Sequence, residues 1–219
     1  MRQFNRNVCV IDTCSIVTLN AITLARKPLL KLMRAHFNIR VSKEVKGEIN
    51  KHHKLLDSEE ASRWPKFVGS VVFSPSALRA DTTLRCFYTS PPAEFTEKGR
   101  GERGNARVSL EILMSKAFGH VVFLSDDINA RRSFLYAIGD AFPGVDLWTT
   151  TDIVLYFGAI LMKEGKCTWD DVWSALRDLR TNAANITCFD SFSKDELISL
   201  AGKHKRLLNR IHTVAKMWR

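Results

Sequence analysis

The sequence predicts an α/β protein: a mostly parallel sheet of about four to five strands flanked by helices, with a C-terminal helical extension. Three observations carry this. The run "VCVID" is short and continuously apolar, as a strand covered on both faces is, "HVVFLSDD" reads as another buried strand, and "FNIRVS" and "SVVFS" read as two more. Segments with helical spacing of apolar residues separate them. Beyond residue 150 the strand-like runs stop and helical spacing continues to the end.

The chain has 219 residues, 45% of them hydrophobic, which suits one large domain or a domain with a helical appendage. The division expected is 1–183 for the α/β domain and 184–219 for a basic helical extension.

The elements follow in order. "VCVID" is the first strand. "SIVTLNAITLARKPLLKLMRAH" has helical spacing through Ile16, Leu19, Leu24, Leu29, Leu32 and Met33, with Pro28 breaking or restarting the helix. "FNIRVS" (37–42) is the second strand, and Ser42 is a natural N-cap for "KEVKGEINKHHKLL". More helix follows in "SEEASRWPKFV", then the third strand in "SVVFS" (70–74). Pro75, Pro91, Pro92 and Gly99 mark 75–100 as a loop region. A helix runs from about Gly101 to Lys116. "HVVFLSDD" (120–127) is the fourth strand, "INARRSFLYAIG" a helix, and "VDLWTT" (145–150) a short fifth strand. Three helices end the chain. Thr168 and Ser193 precede acidic first turns in the second and third of them, as helix starts do.

Five scattered cysteines, Cys9, Cys14, Cys86, Cys167 and Cys188, form no CxxC and read as reduced thiols of a cytoplasmic protein. The N-terminus does not read as a secretory signal. The longest apolar stretch, "IVLYFGAILM" (153–162), is too short to span a bilayer, so no membrane partner is expected. The net charge of +10 favours a polyanionic partner, with bare solubility as the plain alternative. Positive charge concentrates in "EKGRGERGNAR" (97–107) and in "GKHKRLLNRIHTVAKMWR" (202–219).

Against that basic background the acids are placed unusually. Asp12 closes the first strand, Asp126 and Asp127 close the fourth, Glu44 and Glu48 lie on one helix face past the second, and Glu102 follows "GRG" at a helix start. Parallel sheets bind ligands outside the carboxyl ends of their strands. Carboxylates converging there repel one another and lose solvation, so some would take up protons unless a cation joins them. A hard divalent ion with oxygen ligands is the usual cation, and Mg2+ uses one or two carboxylates with waters and substrate phosphates. Singly, each acid has a plain structural role. Asp12 caps the helix beginning near Ser15, Glu44 and Glu48 are solvated, Glu102 complements a helix N-terminus, and the Asp pair caps the next helix. Joint placement at strand ends favours a site.

These stretches resemble PIN-domain ribonucleases, in particular the toxin-like bacterial and archaeal subgroup with Gly-x-Gly-Glu and Asp-Asp motifs. The matching segments are "VIDTCSIVTL" (10–19), "VSKEVKGEI" (41–49), "GRGE" (99–102), "LSDDINARR" (124–132) and "TTDIVLYFGAILMKEGKCTWDDVWSALRDL", covering roughly 5 to 180. After Glu102 the chain continues "RGNARVSLE", where similar sequences have an Ala-rich helix, and Gly104 weakens the helix start by about 1 kcal/mol relative to Ala.

The resemblance implies a PIN-like fold and an endoribonuclease that cleaves RNA phosphodiesters with Mg2+ or Mn2+. It implies Asp12, Glu48, Glu102 and Asp126 as metal ligands, with Asp127 a further catalytic acid. Thr13 and Ser15 match small polar positions beside the first aspartate. Arg131 matches a basic position after the Asp pair; with Arg100, Arg103 and Arg107 it is a candidate for RNA phosphate contact. RNA is the expected partner. Many small members are toxins, so an antitoxin or other protein partner, and a homodimer, are compatible with it. The rivals are a nuclease of DNA or structured nucleic acid, since a metal mechanism does not need the 2′-hydroxyl, and a non-catalytic RNA-binding protein of the same fold.

Other features read as surface or core. His52 and His53 point about 100° apart on a helix and are poor joint ligands. Cys9 and Cys14 pack as small apolar residues. Trp64, Trp169 and Trp173 read as core, while Phe87 and Tyr88 beside Arg85 are candidates for base stacking.

Overall fold

A computed structural model of the chain describes residues 7–52, 72–73, 100–114, 121–127, 130 and 144–185. Within them lie β1 (Asn7–Ile11), α1 (Thr13–Ala21), β2 (Thr23–Leu24), β3 (Lys27–Pro28), α2 (Leu29–His36), β4 (Phe37–Val41) and α3 (Lys43–His52). Then come β5 (Val72–Phe73), α4 (Arg100–Met114), β6 (Val121–Leu124), β7 (Val145–Trp148), α5 (Thr150–Lys163) and α6 (Trp169–Asn185). The chain divides into two compact units, one of Met1–Asn20 and Leu30–Thr150, the other of Ala21–Leu29 and Thr151–Arg219.

The first unit holds a five-stranded sheet in the order β5-β4-β1-β6-β7, every pairing parallel and β5 only two residues long. The fold class is therefore α/β with a parallel sheet, as the sequence predicts. On one face Val8, Val10, Val121 and Phe123 pack with Ala106 and Leu110 of α4, and Val145, Leu147 and Leu113 close the cluster. On the other face Cys9, Ile11, Val122 and Leu124 are also fully buried. Two-sided burial explains why these strands read as continuous apolar runs rather than alternating ones. Each fully buried Val, Leu or Phe contributes about 1.5–3 kcal/mol.

The strand order places a topological switch. From β1 the sheet grows one way through β4 and β5 and the other way through β6 and β7. The carboxyl ends of β1 and β6 lie side by side where the order reverses, and crevices of open α/β sheets form there.

The second unit corrects one expectation. Helix restarts directly after Pro28 as read, with α2 from Leu29, but the spacing from Ile16 is interrupted earlier, because Thr23–Pro28 form an antiparallel hairpin in which Thr23 pairs with Pro28 and Leu24 with Lys27. Ala25 and Arg26 at its tip have φ of 49° and 62°. Hairpin turns of this kind favour Asn-Gly or Gly-Gly, so Ala-Arg leaves no turn signature to read. The buried Leu24 belongs to both patterns, and β2 packs against α6.

The start of α6 bears out the helix-start reading at Thr168. The Thr168 N–H and hydroxyl both donate to Asp171 Oδ2 at 2.8 Å, and the Asp171 N–H returns a bond to Thr168 Oγ1 at 3.3 Å. These bonds hold the Asp171 carboxyl below its usual range. Helix α6 continues through Asn185, across the boundary expected after residue 183. Trp173 is 45% exposed and not core; its turn of α6 buries Val172 and Ala175 instead. Trp64, His53, Arg85, Phe87, Tyr88, Arg131, Ser193, the other residues of 53–71 and 74–99, and the 184–219 extension beyond Asn185 lie outside the described residues, as do the side chains of His52, Arg100 and Glu102. Among the described residues no helix is long and apolar enough to cross a membrane.

Candidate active site

The parallel ladder runs one residue past the strands. The Asp12 N–H donates to the Leu124 carbonyl at 3.1 Å, and the Ser125 N–H to the Trp148 carbonyl at 3.0 Å. Asp12, Ser125, Asp126 and Thr150 are thereby brought together across the carboxyl edge of β1, β6 and β7. Backbone pairing alone dictates this proximity, before any side chain interacts.

Asp12 does both things its position allows. Its Oδ1 accepts the Ser15 N–H at 2.8 Å, the bond of an N-cap, and the Ile16 N–H donates to its carbonyl at 3.1 Å to open α1. Its Oδ2 accepts the Ser125 hydroxyl. Asp126, 6% exposed, is held by three donors: the Ser15 hydroxyl on Oδ2 at 2.9 Å, and the Thr150 N–H and hydroxyl on Oδ1 at 2.9 and 3.0 Å. The Asp126 N–H donates back to Ser15 Oγ at 3.1 Å.

This pairing has an electrostatic consequence. Burial, and then the neighbouring Asp126 carboxylate, push the Asp12 carboxyl up from 3.8 to about 7, against the opposing hydrogen bonds from Ser125 and Ser15. Burial and the nearness of Asp12 also raise the Cys9 thiol, leaving it a neutral, buried side chain.

The other predicted acids fall around this pair. Glu48 is tied to the segment after β1, since its Oε2 accepts the Thr13 hydroxyl at 2.6 Å. Asp127 Oδ1 accepts the Ala130 N–H at 3.4 Å, and its own N–H donates to Ser125 Oγ at 3.2 Å. It therefore caps the chain that follows. Glu102 is the third residue of α4, and its predecessor Gly101 lies against Glu48; a Cβ there would sit 3.1 Å from Glu48 Oε1. Arg103 and Arg107, with Lys43, Glu44 and Gly47, line a pocket between α3 and α4.

Four residues with structural roles at the site carry no mark in the sequence reading as site residues: Ser125, Thr150, Asn105 and Gly104. Asn105 is fully buried; its Oδ1 accepts the Ser42 N–H and its Nδ2 donates to the Ile11 carbonyl, both at 3.4 Å. It thus pins α4 to the ends of β1 and β4. Ser42 caps α3, as predicted, accepting the Val45 N–H at 3.2 Å. Gly104 gives that cap room. A Cβ there would lie 2.6 Å from Ser42 Oγ and would collide with Glu44 Oε2. The glycine that looks unfavourable in a helix is set by the closeness of α3 and α4. Only "SDD", "TTD" and "GRGERGNAR" hinted at these four, through polar residues at strand and helix ends.

Among the described residues no three acids stand close enough to hold one metal ion. The fit to a hard cation rests instead on two carboxylates. Asp12 and Asp126 press like charge together beside the hydroxyls of Ser15 and Ser125, and one or two carboxylates completed by water is the usual complement of Mg2+. Compared with protein-family models, curated proteins and solved structures, the chain matches none of them.

Proposed function

We propose that this chain is a PIN-like, Mg2+- or Mn2+-dependent endoribonuclease. The observation that supports this most strongly is the Asp12–Asp126 pair at the switch point, two acids held together by hydroxyls where a parallel sheet binds ligands. The chain's +10 charge suits a polyanionic substrate brought to an acidic centre. The motif order "VIDT", "GRGE" and "LSDD" carries the resemblance, and RNA as the substrate rests on that resemblance. A role as the toxin of a toxin–antitoxin pair rests on that resemblance alone.

In this reading Asp12 and Asp126 hold the ion. A bound divalent ion would supply Lewis acidity and a water acidified toward neutrality for attack on phosphorus. The chain's own residues do the rest. Ser15 and Ser125 orient the two carboxylates, and Thr150 fixes Asp126 from the far side. Glu48, steadied by Thr13, is the next acid within the same unit. Hydrolysis would leave 5′-phosphate and 3′-hydroxyl ends.

The test is cleavage of matched RNA and DNA oligonucleotides in EDTA, Mg2+ and Mn2+, with wild type beside Asp12→Asn. Cleavage of RNA by wild type alone, and only with metal, is expected. Equal cutting of DNA would move the substrate class. Binding of RNA without cleavage under every metal, or a fully active Asp12→Asn protein, would overturn the nuclease reading.

A further inference from the structure

A cavity of about 480 Å³ opens along the seam of α3 and α4, lined by Lys43, Glu44 and Gly47 from one helix and Arg103 and Arg107 from the other. We propose that it seats the sugar-phosphate of a nucleotide flanking the cleaved bond, and that it does so without reading the base. This rests on the nuclease reading and deepens it.

Position comes first. Glu48 faces Gly101 while Glu44 faces Gly104, so α3 and α4 run antiparallel along their seam. Glu44 lies one helical turn, about 5.4 Å, before Glu48. The Thr13–Glu48 bond at 2.6 Å then leads directly to the segment holding Asp12. A strand crossing the acid pair would therefore have the cavity within reach of a neighbouring nucleotide.

Chemistry comes second. Among the described lining residues three are cationic and one, Glu44, is acidic; its Oε2 is buried toward Gly104 and has no hydrogen-bond partner among the described residues. Lys and Arg suit phosphate oxygens. Among the described residues no lining residue is aromatic, so these side chains offer phosphate contacts and no stacking face. Gly47 leaves one wall open among the described residues, none of which has an atom within 4 Å of where its Cβ would stand. The volume lies in the range that holds a small ligand or one nucleotide unit. Contacts of this type position a strand and carry no sequence information.

The experiment measures binding of a fluorescent single-stranded oligouridylate, in EDTA so that no metal-dependent cleavage intervenes, from about 50 to 200 mM salt. The triple variant Lys43→Gln, Arg103→Gln, Arg107→Gln should bind at least about tenfold more weakly at low salt. Its plot of log affinity against log salt should be shallower by about 2. A control triple with the same change in charge, Lys31→Gln, Arg34→Gln, Lys163→Gln, should keep the wild-type slope. Gly47→Glu places a carboxylate on that wall, where no described residue obstructs its Cβ, and should also weaken binding. Unstructured single strands of other base composition and equal length should bind alike, and a base preference lost in the pocket triple would overturn the claim that the base is not read. Equal losses in both triples, or wild-type binding by the pocket triple and by Gly47→Glu, would overturn the proposal. That failure is separable from failure of the nuclease reading, which is decided by Asp12→Asn in Mg2+.

Discussion

Asp12 and Asp126 each accept a hydroxyl from the other's segment. Ser15, three residues after Asp12, donates to Asp126, and Ser125, one residue before Asp126, donates to Asp12. The exchange crosses from β1 to β6 twice and locks two like charges side by side. A geometry that holds repelling groups together so firmly is what a cation site needs before its cation arrives.

The raised Asp12 carboxyl makes stability depend on pH. Its folded value, about 7, lies above its ordinary 3.8, so the folded protein binds more protons in between. Its contribution is fully present below pH 4 and is lost as pH rises through 7. In EDTA, urea denaturation should show wild type losing about 2 kcal/mol relative to Asp12→Asn between pH 4 and 8; the loss falls short of the full linkage value because Asp12 is only partly buried. Saturating Mg2+ should remove most of that loss. A pH-independent difference between the two proteins would contradict the assignment.

Ser15→Ala and Ser125→Ala each delete one arm of the exchange. Each should cost about 1–2 kcal/mol in the metal-free protein, because an acceptor loses its donor in a part-buried setting. Each should also weaken Mn2+ binding by roughly 10–100-fold in calorimetric titration, through loss of carboxylate orientation. The double mutant should be non-additive by about 0.5 kcal/mol or more. Strict additivity would mean that the two arms act independently.

Gly104→Ala and Gly47→Ala should move stability in opposite directions. Both place a better helix former inside a helix, worth about 1 kcal/mol by propensity. At Gly47 no described residue stands within 4 Å and the gain should appear. At Gly104 the new methyl meets Ser42 and Glu44 and displaces the cap of α3, for a net loss of about 1–2 kcal/mol. Thermal melts of the two variants decide it, and stabilisation by both would disprove the close α3–α4 approach.

Asn105→Ala should destabilise by about 2 kcal/mol, since it strands the Ser42 N–H and the Ile11 carbonyl in the interior. Chemical denaturation measures this directly. A change under about 0.5 kcal/mol would show that water replaces the amide.

Much of this was legible without a structure. Burial on both faces leaves the continuous apolar run of a covered strand, so β1 and β6 could be read from composition and length. Asp12 and Asp126 could be read because an acid ending such a run has few roles available. Ser42 and Thr168 could be read because capping is local chemistry, settled within three or four residues. The hairpin at Thr23–Pro28 could not, because Leu24 satisfies the helical spacing and its Ala-Arg turn lacks the usual residues.

The sequence by itself determined the α/β class, the strands and the acids at their ends, since hydrophobic period and capping depend on near neighbours. Tertiary structure decided which acids meet. Parallel pairing of β1 with β6 brings together residues more than a hundred positions apart, and no local pattern encodes that register. It also decided that Ser125 and Thr150 serve the acid pair and that Gly104 is a clearance between helices. These depend on long-range packing and on charges drawn together by the fold, and neither is written in residue spacing.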